Sequence, residues 1–252
     1  MTRAAAPNQQ DVVVLPDAEA IAKNAAERLL ARIAAASGSA AICLTGGSGP
    51  ERLYQLLADE PYRNRLPWDR VHWFMGDDRF VPAQHAHSNM GMARRLFLDR
   101  VNVPRENIHS IDTTLGSPDA AARHYEAELK RFYGADKLDP TRPLFDLVLM
   151  GLAPDGHTAS LFPNAPALIE HERWVVGVDE AGLHPFVPRV TLTFPALAST
   201  REMLFLVSGA DKRDILARIR AGQDLPATRA RSEGDMVWLV DRAAASEQRH
   251  AI

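Results

Sequence analysis

Between residues 17 and 36, apolar side chains recur at four-residue spacing as Ile21, Ala25, Leu29 and Ile33, with Ala22, Ala26 and Leu30 beside them. That period lays one apolar stripe along a helix, with Asp17 placed as N-cap and Gly38 just past the end. The pattern then changes. AAICLT (40–45) is apolar without alternation, as expected of a strand covered on both faces. Runs of the same kind follow at VHWFM (71–75), FDLVLM (145–150), WVVGV (174–178), VTLTF (190–194), MLFLV (203–207) and MVWLV (236–240). Helical stretches lie between them, one opened by Ser117-Pro118 and closed near Gly134, another from Lys212 to Ala221. Continuous apolar strands alternating with helices predict an α/β fold: a doubly wound, mostly parallel sheet with helices on both faces. There is no internal repeat or low-complexity tract, and no linker divides the chain, so one domain spanning 1–252 is expected.

Composition narrows the functional classes. The 252 residues hold 29 Lys plus Arg against 32 Asp plus Glu, a formal charge of −3. This near-neutral balance lacks the basic footprint of a nucleic-acid binder. The one cysteine, Cys43, excludes a disulfide framework and a multi-cysteine zinc site. No stretch approaches the roughly 20 apolar residues of a membrane span. The opening MTRAAAPNQQDVVVLP lacks the long apolar core and cleavage site of a secretory signal. A soluble, cytoplasmic protein is expected, with no nucleic-acid or membrane partner.

In a doubly wound sheet, ligands sit at the carboxyl ends of the strands, so polar loops directly after apolar runs carry the candidate chemistry. The first is TGGSGPERLYQLL (45–57). Gly46, Gly47 and Ser48 there either present N–H groups and a hydroxyl to an anion at a helix start, or only make a tight turn. The loop matches neither a P-loop nor GxGxxG, and Pro50 stands where a G-x-S-x-G elbow needs its last glycine. The second is GDDRFVPAQHAHSN (76–89), where Asp77, Asp78 and Arg79 follow a buried strand. They form either a polar constellation or a loop cap with a surface pair. His85 and His87 have H-x-H spacing but no obvious further ligands, so no metal site is assigned.

The third loop, GLAPDGHTASLFP (151–163), places Asp155 and His157 around Gly156 at a strand's end, with Thr158 and Ser160 near an expected helix start. A histidine in such a loop acts as a general base, with the aspartate orienting its ring; alternatively it only bonds to loop backbone. The fourth candidate is a pair of cations at strand boundaries, Arg189 before VTLTF and Lys212 in VSGADKRDIL. They serve as anion ligands if a phosphate loop lies nearby.

Taken together and in this order, these segments resemble the 6-phosphogluconolactonase family over almost the whole chain. LTGGSGPERLYQLL, GDDRFVPAQHAHSN ending in Ser88-Asn89, FDLVLMGLAPDGHTASLFP, RVTLTFPAL, VSGADK and PATRARSEGDMVWLVD carry the likeness, the third being the most specific. The chain departs from the pattern at Asp78, where the family often has glutamate, at Ala198, where asparagine is often found, and at Arg231 in place of a small apolar residue. The resemblance implies a modified Rossmann-like fold similar to glucosamine-6-phosphate deaminase. It implies hydrolysis of 6-phospho-D-glucono-1,5-lactone in the oxidative pentose phosphate pathway, without a cofactor, by a monomer or weak homodimer. His157, Asp155 and Arg79 would be catalytic. Gly46, Gly47, Ser48, Asp77, Asn89, Ser160, Arg189 and Lys212 would bind the sugar-phosphate lactone. The alternatives are a glucosamine-6-phosphate deaminase, disfavoured by the run Thr158–Pro163 after His157, and a non-catalytic sugar-phosphate sensor.

Overall fold

The apolar runs become the strands of two sheets, seen in a computed structural model that describes residues 11–245. Residues 1–10, and with them most of the segment read for a secretory signal, lie outside the described residues, as do 246–252. The chain runs through β1 (Asp11–Leu15), α1 (Ala18–Ala35), β2 (Ala40–Leu44), α2 (Glu51–Ala58), α3 (Tyr62–Arg65), β3 (Val71–Met75) and β4 (Asp77–Arg79). It continues through α4 (Asn89–Leu96), α5 (Pro118–Tyr133), β5 (Leu147–Met150), β6 (Val175–Val178), β7 (Arg189–Leu192) and α6 (Phe194–Ala198). It closes with β8 (Glu202–Val207), α7 (Arg213–Arg220), α8 (Pro226–Arg229), β9 (Asp235–Asp241) and α9 (Arg242–Ala245).

Six strands form one parallel sheet in the order β1-β9-β8-β5-β2-β3. Every residue of β2, β5 and β8 is buried, which is why their sequences do not alternate. Helix α1 buries the predicted stripe, and Asp17 caps it by accepting the Ala20 N–H at 2.9 Å. The helix stops at Ala36, which is already extended, so Gly38 is not its terminator. Helix α5 has the expected ends: Ser117 accepts the Ala120 N–H at 3.1 Å, and Gly134 takes a left-handed conformation.

Two of the predicted strands belong elsewhere. The runs at 174–178 and 190–194 become β6 and β7, which pair antiparallel with each other, and β4 adds to β7 to complete a separate three-stranded sheet. A parallel pair needs a long crossover, usually a helix, and the 179–188 connection has none. Strand β1, which the apolar pattern did not single out, forms the edge of the main sheet against β9 with Val12 and Val14 half exposed. Among the described residues no helix is long and apolar enough to cross a membrane.

Two buried tyrosines lock the strand ends that carry the site. The Tyr54 hydroxyl, on α2, donates to the Thr45 carbonyl at 2.7 Å and accepts the Thr45 N–H at 3.1 Å, just past β2. The Tyr125 hydroxyl, on α5, does the same for Met75 at the end of β3, at 3.2 and 2.9 Å. Each hydroxyl satisfies a donor and an acceptor where the ladder stops or the sheet ends, groups that would otherwise be buried unpaired. Tyr54→Phe removes one hydroxyl and orphans both Thr45 groups. Denaturant unfolding of that variant is expected to show a loss of about 1–3 kcal/mol, against a small change for a surface tyrosine.

Candidate active site

The order of the main sheet creates a crevice. From β2 the chain crosses to β3 on one side; from β5, the other neighbour of β2, it leads to β8 on the opposite side. Adjacent strands whose connections leave in opposite directions cannot have their carboxyl ends covered, and ligands bind there. The loops after β2 and β5 both line a cavity of about 220 Å³ at this point. Thr45, Gly46, Gly47, Ser48 and Gly49 come from the first loop; Gly151, Leu152, Ala153, Pro154, His157, Thr158 and Ala159 come from the second.

His157 is presented by a closed loop. The Gly156 N–H donates to the Ala153 carbonyl at 3.0 Å, and the Ala153 N–H to the His157 carbonyl at 3.1 Å. Gly156 stands at φ +87°, the left-handed region open to glycine, and its carbonyl accepts the Ala227 N–H of α8 at 2.9 Å. Asp155 Oδ1 accepts both the His157 backbone N–H at 3.1 Å and the Nδ1 side of the ring at 2.7 Å. Burial pushes the Asp155 carboxyl up, but the His157 ring and N–H outweigh it and hold the group below the usual aspartate value. An ionised Asp155 places the ring proton on Nδ1 and leaves Nε2 as the acceptor. The ring packs on Phe162 with centroids 4.4 Å apart. Asp155 itself stands behind His157 and does not line the cavity. The helix expected near Thr158 and Ser160 is absent: Ala159 has a positive φ, and Thr158 bridges to Leu161 in a tight turn.

The small sheet brings in the arginines. Arg79 of β4 and Arg189 of β7 are register partners on adjacent antiparallel strands, and both line the cavity. Arg79 Nη1 donates to the His87 carbonyl at 2.8 Å, while its buried Nε has no hydrogen-bond partner. Arg189 is 3 % exposed; its Nε and Nη2 donate to the Val187 and Pro185 carbonyls at 3.1 and 2.8 Å. Burial pulls the Arg189 guanidinium below its usual value, Asp77 opposes this, and the neighbouring Arg79 reinforces it. Two guanidinium groups on register-paired residues thus give one wall of the cavity a concentrated positive charge.

Carboxylates frame these cations. Asp77 lines the cavity and accepts the Ser160 hydroxyl at 2.6 Å. Ser160 is therefore a support for Asp77 and not a cavity residue: it is fully buried and its N–H donates to Thr191 Oγ1 at 3.2 Å. Asn89 lines the cavity beside Gly46, with Nδ2 donating to the Asp77 carbonyl at 2.8 Å. Asp78 faces away from the cavity and organises the start of α4: its oxygens accept the N–H groups of Arg79, Asn89 and Met90 at 2.8, 2.6 and 3.0 Å. The Ser88 hydroxyl adds a fourth contact at 3.3 Å. Burial nevertheless pushes the Asp78 carboxyl up to about 6, with the N–H groups of Met90, Asn89 and Arg79 pulling the other way. The short Asp side chain therefore serves as a helix cap needing no longer reach.

Lys212 closes the far wall. It ends a single 3₁₀ turn, Ala210–Lys212, after β8, and its half-buried Nζ lies 3.2 Å from Asp211. The cavity also has wall residues that the sequence did not single out as ligands, among them Thr45, Ser208, Leu183 and His184. Leu183 and His184 come from the 179–188 connection, whose pattern marks no element; only its position just before Arg189 pointed to the site. The His87 ring packs against His85 and His184 with centroids 5.1 and 6.1 Å away. Among the described residues, no group of three or more His, Cys, Asp or Glu side chains is arranged to hold a metal ion.

The chain matches the family model described as glucosamine-6-phosphate isomerases/6-phosphogluconolactonase over residues 16–238. It is 37 % identical over 246 residues to the 6-phosphogluconolactonase of Nostoc sp., covering 95 % of this chain and 98 % of that protein. The crystal structure of 6-phosphogluconolactonase from Thermotoga maritima is similar at TM-score 0.79 and 30 % identity, covering 93 % of this chain and 100 % of that one. A monomeric glucosamine-6-phosphate deaminase superposes at TM-score 0.76 with 19 % identity, covering 94 % of this chain and 99 % of that one, and so shares the fold.

The buried Asp78 makes a signed prediction. Its carboxyl sits at about 6 in the folded protein against 3.8 for an unperturbed aspartate. Well below pH 3.8 the group is protonated in both states and carries no penalty. Between 3.8 and about 6 the unfolded chain ionises while the folded protein holds its proton, so stability falls across that window and levels off above it, by about 3 kcal/mol in all at 1.36 kcal/mol per pH unit. Unfolding free energies of wild type and Asp78→Asn, measured from pH 4 to 7.5, are expected to diverge in that sense, with wild type losing ground as pH rises.

Proposed function

The chain belongs to the glucosamine-6-phosphate isomerase/6-phosphogluconolactonase family, and from that membership we propose that its cavity hydrolyses 6-phospho-D-glucono-1,5-lactone to 6-phospho-D-gluconate. This is the second step of the oxidative pentose phosphate pathway. The observation that carries the reading is the juxtaposition in one cavity of His157, backed by Asp155, with Arg79, Arg189 and Lys212. A basic nitrogen supplies the water activation a lactone needs, and the cations suit a substrate with a phosphate at one end and a developing oxyanion at the other.

His157 Nε2 takes a proton from a water as its oxygen attacks the C1 carbonyl. Arg79 stabilises the negative charge that collects on the carbonyl oxygen. The imidazolium then returns the proton to the ring oxygen as the C1–O bond breaks, opening the lactone to the acid. Asp155 is a positioning residue: it keeps the ring proton on Nδ1 and offsets the transient positive charge. The glycine-loop N–H groups, Ser48, Arg189 and Lys212 bind the phosphate, while Asp77 and Asn89 face the sugar hydroxyls. Water is the nucleophile. Ser48 lies in an exposed turn without an elbow, and burial pushes the thiol of Cys43 far up. A cytoplasmic location is part of the same proposal, since a phosphate ester dianion stays on the side of a membrane where it is made. Deamination of glucosamine 6-phosphate is the less favoured reading: the full-length relative at 37 % identity carries the lactonase name, whereas the deaminase shares the fold alone.

Freshly generated 6-phosphogluconolactone and glucosamine 6-phosphate, assayed side by side, test the reading. Acid release above the spontaneous rate is expected, and ammonia release instead would sink it. His157→Ala is expected to lower kcat about 10² to 10⁴-fold with the fold intact by circular dichroism. A near-normal kcat would remove His157 from the mechanism. Arg189→Ala and Lys212→Ala each remove a charge-assisted contact worth about 1.5–3 kcal/mol, so KM for the phosphorylated lactone should rise roughly tenfold to hundredfold. Hydrolysis of unphosphorylated gluconolactone should be slow and little altered by either change; equal losses on both lactones would place phosphate recognition elsewhere.

A further inference from the structure

The end of β9 carries a buried carboxylate with no part in the chemistry above. Asp241 is 4 % exposed and divides its oxygens between two backbone donors. Oδ2 accepts the Gly209 N–H at 3.0 Å, and Oδ1 accepts the Ala244 N–H at 2.7 Å. The first donor belongs to the turn after β8 and the second to α9. Helix α9 is itself tied to the helix beyond that turn, because Arg213 Nε donates to the Ala243 carbonyl at 2.6 Å and Arg220 Nη1 to the Ala245 carbonyl at 3.3 Å.

Gly209 stands at φ +100° and ψ 149°, and a Cβ there would lie 2.5 Å from Asp211 Oδ1. This region is open to glycine and closed to other residues, so a side chain at 209 would force the turn to move. Three residues on, Lys212 closes the turn by donating its N–H to the Gly209 carbonyl at 3.1 Å, and its side chain reaches the cavity wall. A lysine stem keeps many rotamers, so what a fold can set is the point from which the stem springs. Strands β8 and β9 are paired in register up to Val207 and Val240, one residue before Asp241. The carboxylate is thus indexed to the sheet, and through Gly209 it indexes the turn.

We infer that Asp241 is a positioning residue for Lys212, and through it a determinant of phosphate recognition. The inference rests on Lys212 being a phosphate ligand. It has a specific chemical requirement: one group must accept two N–H donors arriving from different segments. A carboxylate does so with one oxygen each. An asparagine of the same shape has one acceptor oxygen and turns an N–H₂ toward the other donor.

The test uses Asp241→Asn, Lys212→Ala and the double variant, with kcat and KM measured on phosphorylated and unphosphorylated gluconolactone. Asp241→Asn is expected to raise KM for the phosphorylated lactone about threefold to tenfold, with kcat changed less than about twofold. In the double variant KM should not exceed that of Lys212→Ala alone, since both changes remove one interaction. Gly209→Ala, which disturbs the same turn without touching the carboxylate, should reproduce the KM pattern and keeps the idea testable if Asp241→Asn folds poorly. Equal KM increases on the two lactones, or fully multiplicative effects in the double variant, would overturn the inference and leave Asp241 a general structural residue. A raised KM in Lys212→Ala with none in either Asp241→Asn or Gly209→Ala overturns it alone. An unchanged KM in Lys212→Ala overturns the phosphate role of Lys212 first, and this inference with it.

Discussion

Everything in this molecule depends on β2 and β5 being neighbours in a parallel sheet while sending their chains to opposite sides. Their carboxyl ends cannot both be covered by crossovers, so a crevice is left that no packing can close. The interior strands on either side are fully buried, which makes the crevice walls rigid. Tyr54 and Tyr125 extend that rigidity past the strand ends by pairing the backbone of Thr45 and Met75. The glycine loop and the Asp155–His157 loop are both born at this rim and need little further structure to face one another.

The second layer of organisation is a set of aspartates, Asp78 and Asp241 buried and Asp155 partly so, that bind backbone. Asp78 gathers three N–H groups at the start of α4, Asp155 takes the His157 N–H as well as its ring, and Asp241 joins the Gly209 turn to α9. Charge-assisted bonds to backbone are among the stronger polar contacts available. They fix backbone N–H groups that lie outside the strand ladders. The energetic cost is visible at Asp78, whose carboxyl rises to about 6 because burial outweighs its donors.

Cations are handled differently. Arg79 and Arg189 come from a small antiparallel sheet placed over the crevice, where register alone sets them side by side. Their mutual repulsion is tolerated because main-chain carbonyls of His87, Val187 and Pro185 accept from them and because Asp77 lies in the same cavity. A substrate anion would complete this balance of charge.

The sequence by itself determined the parts that depend on near neighbours along the chain. The stripe of α1, the caps Asp17 and Ser117, the non-alternating strands and the Asp155-Gly156-His157 loop are set by periods, local hydrogen bonds and glycine geometry, all readable within a few residues. Tertiary structure alone decided what depends on distant partners. That WVVGV and VTLTF leave the main sheet follows from the missing crossover, and β1 stayed unnoticed because an edge strand with one covered side has no unbroken buried run. Ser160 looked like a ligand from its place in the loop, yet it supports Asp77 from 83 residues away, and His184 reaches the cavity from a connection with no pattern at all. Such pairings reflect where strands separated by many residues are brought into register, and burial and register are properties of the packed sheet rather than of any segment.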